Sequence, residues 1–449
     1  MKQIKKVDIF NQPVEKALMK LAWPIIVSNL LQTVYNITDA FFLGKLGKVE
    51  FSAPTVAWPI IFVFISLAGG FSQAGTSMVA GYTGMDNKKM AEKSAAQSML
   101  TVTVISVAVM TIGLIFGKYF LNFMKVSDDV FELSHSYLNV ILISMPFMFF
   151  MELISGIFRG WGNSFVPMMI TGLSVTLNVI LDPIFIFKFN LGVNGAAVAT
   201  LISRIIFAGY FLYIIFSGKM GFQVHIKDFK PDFRYINKVL TIGLPSSVGQ
   251  SVSAVGFAII TGVISAFGPA VISAYGVGNR ITNIIVMVAA GLGFATSTMA
   301  GQYIGGNKPE KASETVRKAS VTTFLIVMSF SVLLFFFGKY VTIFFINDEE
   351  VIKIGVKFFK LVSFSLPFFA TMSILVGAMR GTGHTMQATV VDLLRLWAVR
   401  VPLVIFMADR FGFVGVFYAM IISNIFALVL SYIFLKFGNW KEKVVHEFE

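Results

Sequence analysis

Six stretches of this chain, 55–85, 94–117, 281–307, 319–338, 361–379 and 411–435, contain no charged residue. Each is close to or beyond the roughly 20 helical residues that cross a hydrocarbon core. In lipid every backbone amide must be satisfied internally, so such runs can be only helices or strands of a closed barrel. Barrel strands would alternate polar and apolar residues over about 10 positions, and these runs are continuously apolar. The chain is therefore expected to be an all-α polytopic membrane protein. About twelve spans are expected, near 17–43, 55–83, 94–117, 134–158, 166–189, 194–217, 239–265, 271–302, 319–338, 355–379, 386–408 and 413–436, each boundary to within about 2–4 residues. A composition of 56% hydrophobic, 14% aromatic and 13% charged residues agrees, since a soluble domain of 449 residues has no use for it. The first twenty residues are too charged for a secretory signal and lack a small-residue cleavage site, so the first span is expected to stay in the protein.

The net charge of +13 invites a nucleic-acid reading, which the distribution of charge rejects. Basic residues gather before span one (Lys2, Lys5, Lys6), after span two (Lys88, Lys89, Lys93) and after span six (Lys219, Lys227, Lys230, Arg234, Lys238). They gather again after span eight (Lys308, Lys311, Arg317, Lys318) and at the end (Lys436, Lys441, Lys443). All these junctions lie on one face of the membrane, which the positive-inside rule makes cytoplasmic. The opposite loops carry Asp128, Asp129, Glu132, Asp348, Glu349 and Glu350. Both termini are thus expected inside, in a cytoplasmic (inner or plasma) membrane. Lipid is an expected partner, nucleic acid is not, and the protein is expected to act as a monomer. Without cysteine, disulfides and thiolate chemistry are excluded. The four histidines, His135, His225, His384 and His446, have no metal-ligand spacing.

The chain is duplicated. Gly-Ile-Phe-Arg-Gly-Trp-Gly from Gly156 recurs as Gly-Ala-Met-Arg-Gly-Thr-Gly from Gly377, an offset of 221. Pro24 maps to Pro245, and Ser52-Ala53 to Ser273-Ala274, at the same offset; Thr76, Gly81 and Asn87 map to Thr296, Gly301 and Asn307 at 220. A near-constant offset over several motifs marks an internal repeat. Six spans per copy, an even number, give both copies the same orientation, the parallel-repeat architecture of transporters. The expected organisation is an amino-terminal lobe over 1–217, a cytoplasmic linker over 218–238 and a carboxy-terminal lobe over 239–449. Gly-rich corners such as Arg159-Gly160-Trp161-Gly162 are expected to cap helices and turn the chain.

Within the spans, polar groups converge. Asp39 ends the first span, and a carboxylate at bilayer depth is costly enough to be partnered and functional. With the amino terminus inside, Asp39 lies in the outer half of span one, Asn178 and Asp182 in the outer half of span five, and Thr200 at similar depth in span six. Asn178 and Asp182 are four residues apart and share a helical face. Two carboxylates in a low-dielectric pocket cannot both be cheaply ionised, so the cluster is expected to bind and release a proton or to hold a hard cation such as Na⁺. The bland alternative is a hydrogen-bond cluster that fastens helices together. The second copy bears on the choice: the matching positions are Ile260, Trp397, Val401 and Met420, all apolar. A polar set needed only for packing would be expected in both copies.

Other charges carry weaker expectations. Asp392 and Arg395 are spaced to pair along a helix. Arg159 or water would satisfy Glu152, and Arg280, Arg400 and Asp409 face a cavity or snorkel. Pro24 removes a helical hydrogen bond and allows span one to bend. The 48 Phe and 22 Met are core and lipid contact; those facing a cavity would suit bulky amphipathic solutes.

Taken together, Trp-Pro-Ile-Ile (Trp23 onward) with Tyr-Asn-Ile-Thr-Asp (to Asp39), Arg-Gly-Trp-Gly-Asn (to Asn163), Asn-Val-Ile-Leu-Asp-Pro (Asn178 to Pro183), Gly-Val-Asn-Gly-Ala-Ala-Val-Ala-Thr (to Thr200) and Ala-Gly-Gln-Tyr-Ile-Gly-Gly-Asn (to Asn307) resemble the multidrug and toxic compound extrusion (MATE) transporters. The likeness covers essentially the whole chain and comes nearest to the DinF-like branch. It implies an antiporter that expels cationic or amphipathic small molecules by alternating access, in exchange for H⁺ or Na⁺, with no other cofactor. The implied coupling site falls on Asp39, Asn178, Asp182 and Thr200, which would also hold any Na⁺, with the Ala196 carbonyl as a further ligand. Tyr35 and Asn36 fall near the same pocket, and Pro24 matches the proline at which the first helix bends. The NorM-like branch carries carboxylates in spans seven and ten, where this chain reads Gln250-Ser251-Val252-Ser253 and Pro367-Phe368-Phe369. A lipid-linked precursor flippase of the same wider superfamily is the runner-up, kept open by Arg280, Arg395 and Arg400. An enzyme is not expected, because the chain has no His or Cys cluster, no Gly-rich phosphate loop and no sizeable soluble domain. A channel is not expected without a repeated filter motif.

Overall fold

The structure, a computed structural model, describes residues 6–124 and 126–444; Lys2, Lys5 and His446 lie outside the described residues. Among those residues there is no β-strand, and the chain forms twelve helical rods. The first six are α1 (Val14–Gly44), α2 (Lys48–Gly84), α3 (Lys88–Phe123), α4 (Asp128–Trp161), α5 (Phe165–Pro183, running on into a π-helical segment Ile184–Lys188) and α6 (Gly192–Ser217). After the linker come α7 (Phe233–Ser265), α8 (Pro269–Gly305) and α9 (Pro309–Phe345). Next, α10 (Glu349–Val362) passes through a 3-10 turn (Ser363–Ser365) into α11 (Leu366–Gly381) as one rod. A further rod is built from α12 (Thr385–Leu393), a π-helical segment (Leu394–Arg400) and α13 (Val401–Phe411), and α14 (Phe413–Phe437) closes the chain.

Eleven rods are long and apolar enough to cross a membrane. The exception, 385–411, carries Asp392, Arg395, Arg400, Asp409 and Arg410 within its length. It is a spanning rod by its place in the repeat and an unusually charged one by composition.

The chain divides into two compact units. One consists mainly of Val27–Val248; the other joins Ile9–Ile26 to the chain from Gly249 onward. Two helices therefore contribute to both units, and in each the change falls within four residues of a proline: after Pro24 in α1 and after Pro245 in α7. A proline inside a helix deletes one backbone hydrogen bond and leaves a place where the axis can turn.

The duplicated Gly motifs explain how the helices within each unit approach. A side-chain carbon on Gly156 or Gly160 of α4 would stand 2.3 or 2.5 Å from the carbonyl oxygens of Ser72 or Thr76 on α2. The repeat matches this in the other unit. Carbons on Gly377 and Gly381 of α11 would stand 2.6 and 2.0 Å from the carbonyl oxygens of Gly293 and Ser297 on α8. Small residues four apart let two backbones come close where lipid gives helices little hydrophobic reason to associate. The expected capping belongs to the next glycines along, Gly162 and Gly383, with φ of +92° and +91°. The motif thus both packs and turns.

Candidate functional site

Four helices of the Val27–Val248 unit carry a polar group among otherwise apolar side chains. On α1, Tyr35 and Asp39 are one helical turn apart. On α5, Asn178 and Asp182 have the same spacing, and they are 2% and 0% exposed. On α6, Ala196, Thr200 and Arg204 form a ladder at successive four-residue steps. From α4 come Tyr137 and Ser144, both buried.

Thr200 ties three of these helices together. Its hydroxyl lies 2.8 Å from the Tyr35 hydroxyl, and the Asn178 side-chain amide donates to it across 3.4 Å. Arg204 donates to the Ser144 hydroxyl at 2.6 Å. The Asp39 charge acts on Asp182, the Arg204 charge acts on Asp39, and both tyrosines feel all three. The local backbone is built for this approach. A side-chain carbon on Gly195 would stand 2.6 Å from the Phe185 carbonyl carbon, so α6 lies directly against the π-helical segment that follows Asp182-Pro183. Such π segments often occur at functional sites.

Asp39, Asn178, Asp182 and Thr200, expected together from topology, are thus brought together, with Tyr35 bonded to them. Ala196 is buried on the same ladder, with its carbonyl committed to the helical ladder and a second lone pair remaining. Asn36 is exposed, and Pro24 is buried in the part of α1 that belongs to the other unit. Arg204, Tyr137 and Ser144 were not anticipated. Arg204 had a legible signal, as the one charge within the sixth span; the other two had none.

The hydrogen bonding is unbalanced. Asp39 Oδ1 and Asn178 Oδ1 are buried without a hydrogen-bond partner, and both Asp182 carboxylate oxygens lack one of ordinary geometry, the Asn178 side-chain amide acting on them only as a weak donor. Burying such acceptors unsatisfied is costly, the more so when they are charged. The donor set therefore fits a proton or a hard cation, which would supply what these oxygens lack. Among the described residues no three His, Cys, Asp or Glu side chains cluster as a transition-metal site would require.

The corresponding positions of the second unit are packed with carbon. Ile260 and Val401 belong to one hydrophobic core, Trp397 and Met420 pack against it partly buried, and the Trp397 indole donates to the Val252 carbonyl at 3.2 Å. One other expectation needs revision. Asp392 pairs with Arg380 at 2.6 Å and not with Arg395. Arg159 donates to the Ser72 hydroxyl at 2.9 Å and is an electrostatic neighbour of Glu152.

Residues 24–184 and 245–406 each match the MatE family, so the match itself is duplicated. Over 98% of its length, and 98% of the other protein's, the chain is 26% identical to a probable multidrug resistance protein of Bacillus subtilis, YpnP. It is 27% identical to a probable multidrug resistance protein of Thermotoga maritima, NorM, over 96% of this chain and 94% of that one. The crystal structure of MATE in the bent conformation superposes with a TM-score of 0.91 at 23% identity, covering 97% of each chain. That likeness shows a shared fold.

Proposed function

The chain belongs to the MatE family, and on that premise we propose that it is a secondary active multidrug efflux antiporter of the cytoplasmic membrane. It exports cationic or amphipathic small molecules in exchange for H⁺ or Na⁺, as a monomer with both termini inside. Multidrug resistance names on two full-length relatives support the substrate class. The positive-inside distribution of basic residues supports the orientation.

The observation that carries the coupling is the uncompensated pair Asp39 and Asp182, with partnerless oxygens beside a single arginine. Two carboxylates against one guanidinium leave the cluster one positive charge short. A single proton or Na⁺ makes up that charge. Loading and unloading it would change the cost of keeping α1, α5 and α6 together. Because α1 changes unit just beyond Pro24, a shift of Asp39 is transmitted along one helix whose axis can bend. For exchange, ion and substrate must favour opposite conformations, since only differential affinity moves a two-state population.

The test is ethidium efflux from sealed vesicles under separately imposed ΔpH and Na⁺ gradients, with Asp39→Asn in parallel. Efflux driven by one gradient and lost in the variant supports the reading and identifies the ion. If neither gradient moves ethidium, while purified protein moves a lipid-linked diphosphate between leaflets, the flippase reading replaces it.

A further inference from the structure

The second unit has a charge imbalance of its own, opposite in sign. In the segment Leu394–Arg400, Arg395 and Arg400 are five residues apart. Five residues are about 1.4 turns of α-helix and would point apart. In a π-helix, residues i and i+5 are hydrogen-bonded neighbours, so the two guanidiniums issue from nearly the same side. Arg395 is 5% exposed and Arg400 4%.

Arg400 has only neutral partners, donating from Nε to the Ser423 hydroxyl at 2.7 Å and from Nη2 to the Asn424 side-chain carbonyl. Arg395 lies over the Phe369 ring at 5.1 Å, and its Nε and Nη1 are buried without a hydrogen-bond partner. Asp392, which acts electrostatically on Arg395, is already engaged by Arg380. Arg380 and Arg395 thus share one carboxylate, and Arg400 is held by neutral groups alone. Arginine does not shed its proton in proteins, and a buried charge left unpaired is costly; the Phe369 ring offsets only part of that cost.

We propose that Arg395 and Arg400 form an anion subsite that takes the carboxylate or phosphate oxygens of an amphipathic substrate. The planar guanidinium of Arg395 presents free N–H donors to such oxygens, and Arg400, fixed by Ser423 and Asn424, adds a second positive charge on the same side. Phe369, with its ring 5.1 Å from the Arg395 guanidinium, provides the apolar face. The transporter then selects molecules that carry an anionic group as well as a cationic one. This inference rests on the efflux reading for its choice of ligand.

The experiment is binding to the purified full-length protein, followed by ligand fluorescence. Norfloxacin bears a carboxylate and a cationic amine; its methyl ester keeps only the amine. Wild type should bind norfloxacin about tenfold more tightly than the ester, the worth of about 1.4 kcal/mol. Arg395→Gln should erase that preference while leaving ester affinity within about twofold, and Arg395→Lys, which keeps charge without the planar fork, should fall between. An unchanged thermal midpoint for Arg395→Gln shows that the fold survives. Repeating the measurement in phosphatidylcholine and in phosphatidylglycerol nanodiscs distinguishes the anion's source. A preference weakened only by phosphatidylglycerol assigns the site to a lipid phosphate, and equal preference in both assigns it to the solute. No preference in wild type, or an equal change for acid and ester in Arg395→Gln, overturns the proposal. Ethidium efflux, measured separately, tests the antiporter reading and does not depend on this site.

Discussion

The two units are copies of one scaffold, and their interiors carry opposite charge. In the Val27–Val248 unit Arg204 of α6 donates to Ser144 of α4 at 2.6 Å. In the other unit the same repeat positions are Asn424 and Ser365, whose side chains are bonded at 3.1 Å. The bond has been kept while the groups around it have diverged. Near Arg204 stand two carboxylates short of positive charge; near Asn424 stand two arginines short of negative charge. Features present in both copies, such as the glycine contacts and this bond, belong to the scaffold. Features present in one copy are where function is to be sought.

The strongest way to break that comparison is to neutralise each carboxylate. Asp39→Asn and Asp182→Asn are expected to lower ion-driven ethidium efflux on the order of 100-fold, at the upper end of coupling energies between sites. Both should insert and melt like wild type, because a carboxamide keeps the shape and removes an uncompensated charge. Efflux retained in both variants would return the cluster to a packing role.

Scaffold features should behave in the contrary way, equally in both units and through stability. Gly160→Ala and Gly381→Ala each drive a carbon into a backbone carbonyl at 2.5 and 2.0 Å, and backbone cannot swing aside as a side chain can. Each should cost about 1–3 kcal/mol, read as a lower thermal midpoint with the ion selectivity of the remaining activity unchanged. A large cost in one unit alone would show that the two packings are not equivalent.

A finer contrast uses Thr200 and its repeat partner Met420. Thr200→Val removes the group that Tyr35 and Asn178 share, leaving a buried tyrosine hydroxyl without its partner. A net cost of about 1 kcal/mol is expected, appearing as a several-fold weaker apparent affinity for the driving ion. Met420→Leu, packed against the core of the other unit, should leave that affinity alone.

How much of this was legible beforehand follows from the kind of physics involved. The rods, the repeat and the convergence of Asp39, Asn178, Asp182 and Thr200 follow from hydropathy, offset and span parity, and these are properties of sequence. The pairing of Asp392 was misread because i, i+3 spacing presumes a regular α-helix, and the backbone widens to a π-helix immediately after Leu393. That widening also lets Arg395 and Arg400 point together, which an α-helical reading would not place. Gly160 was read as a turn when it is a packing contact, since sequence shows a glycine's freedom and not what lies 2.5 Å away.

The smallest expected effect separates a carboxylate that is fully paired from the two that are not. Asp232, in the linker before α7, accepts from Lys93 Nζ at 2.8 Å, and Arg234 adds weaker contacts. Foremost the Lys93 hydrogen bond, and then Arg234, hold its carboxyl down at about 2. Gln97 of α3 fastens the same linker by donating to the Asp228 and Lys230 carbonyls and accepting from the Asp232 amide. A carboxyl lowered on folding contributes its stability above its unfolded value of about 3.9 and loses it as pH falls toward 2. Between pH 5 and 8 that contribution is therefore flat. Asp232→Asn should lower stability by a few tenths to about 1 kcal/mol, as ion pairs near the surface do, and by the same amount at pH 6 and pH 8. Thermal melts at the two pH values check this. An equal loss at both removes the linker as a source of any pH dependence of transport in that range, whereas a loss that changes between them would place part of that dependence outside the Asp39–Asp182 cluster.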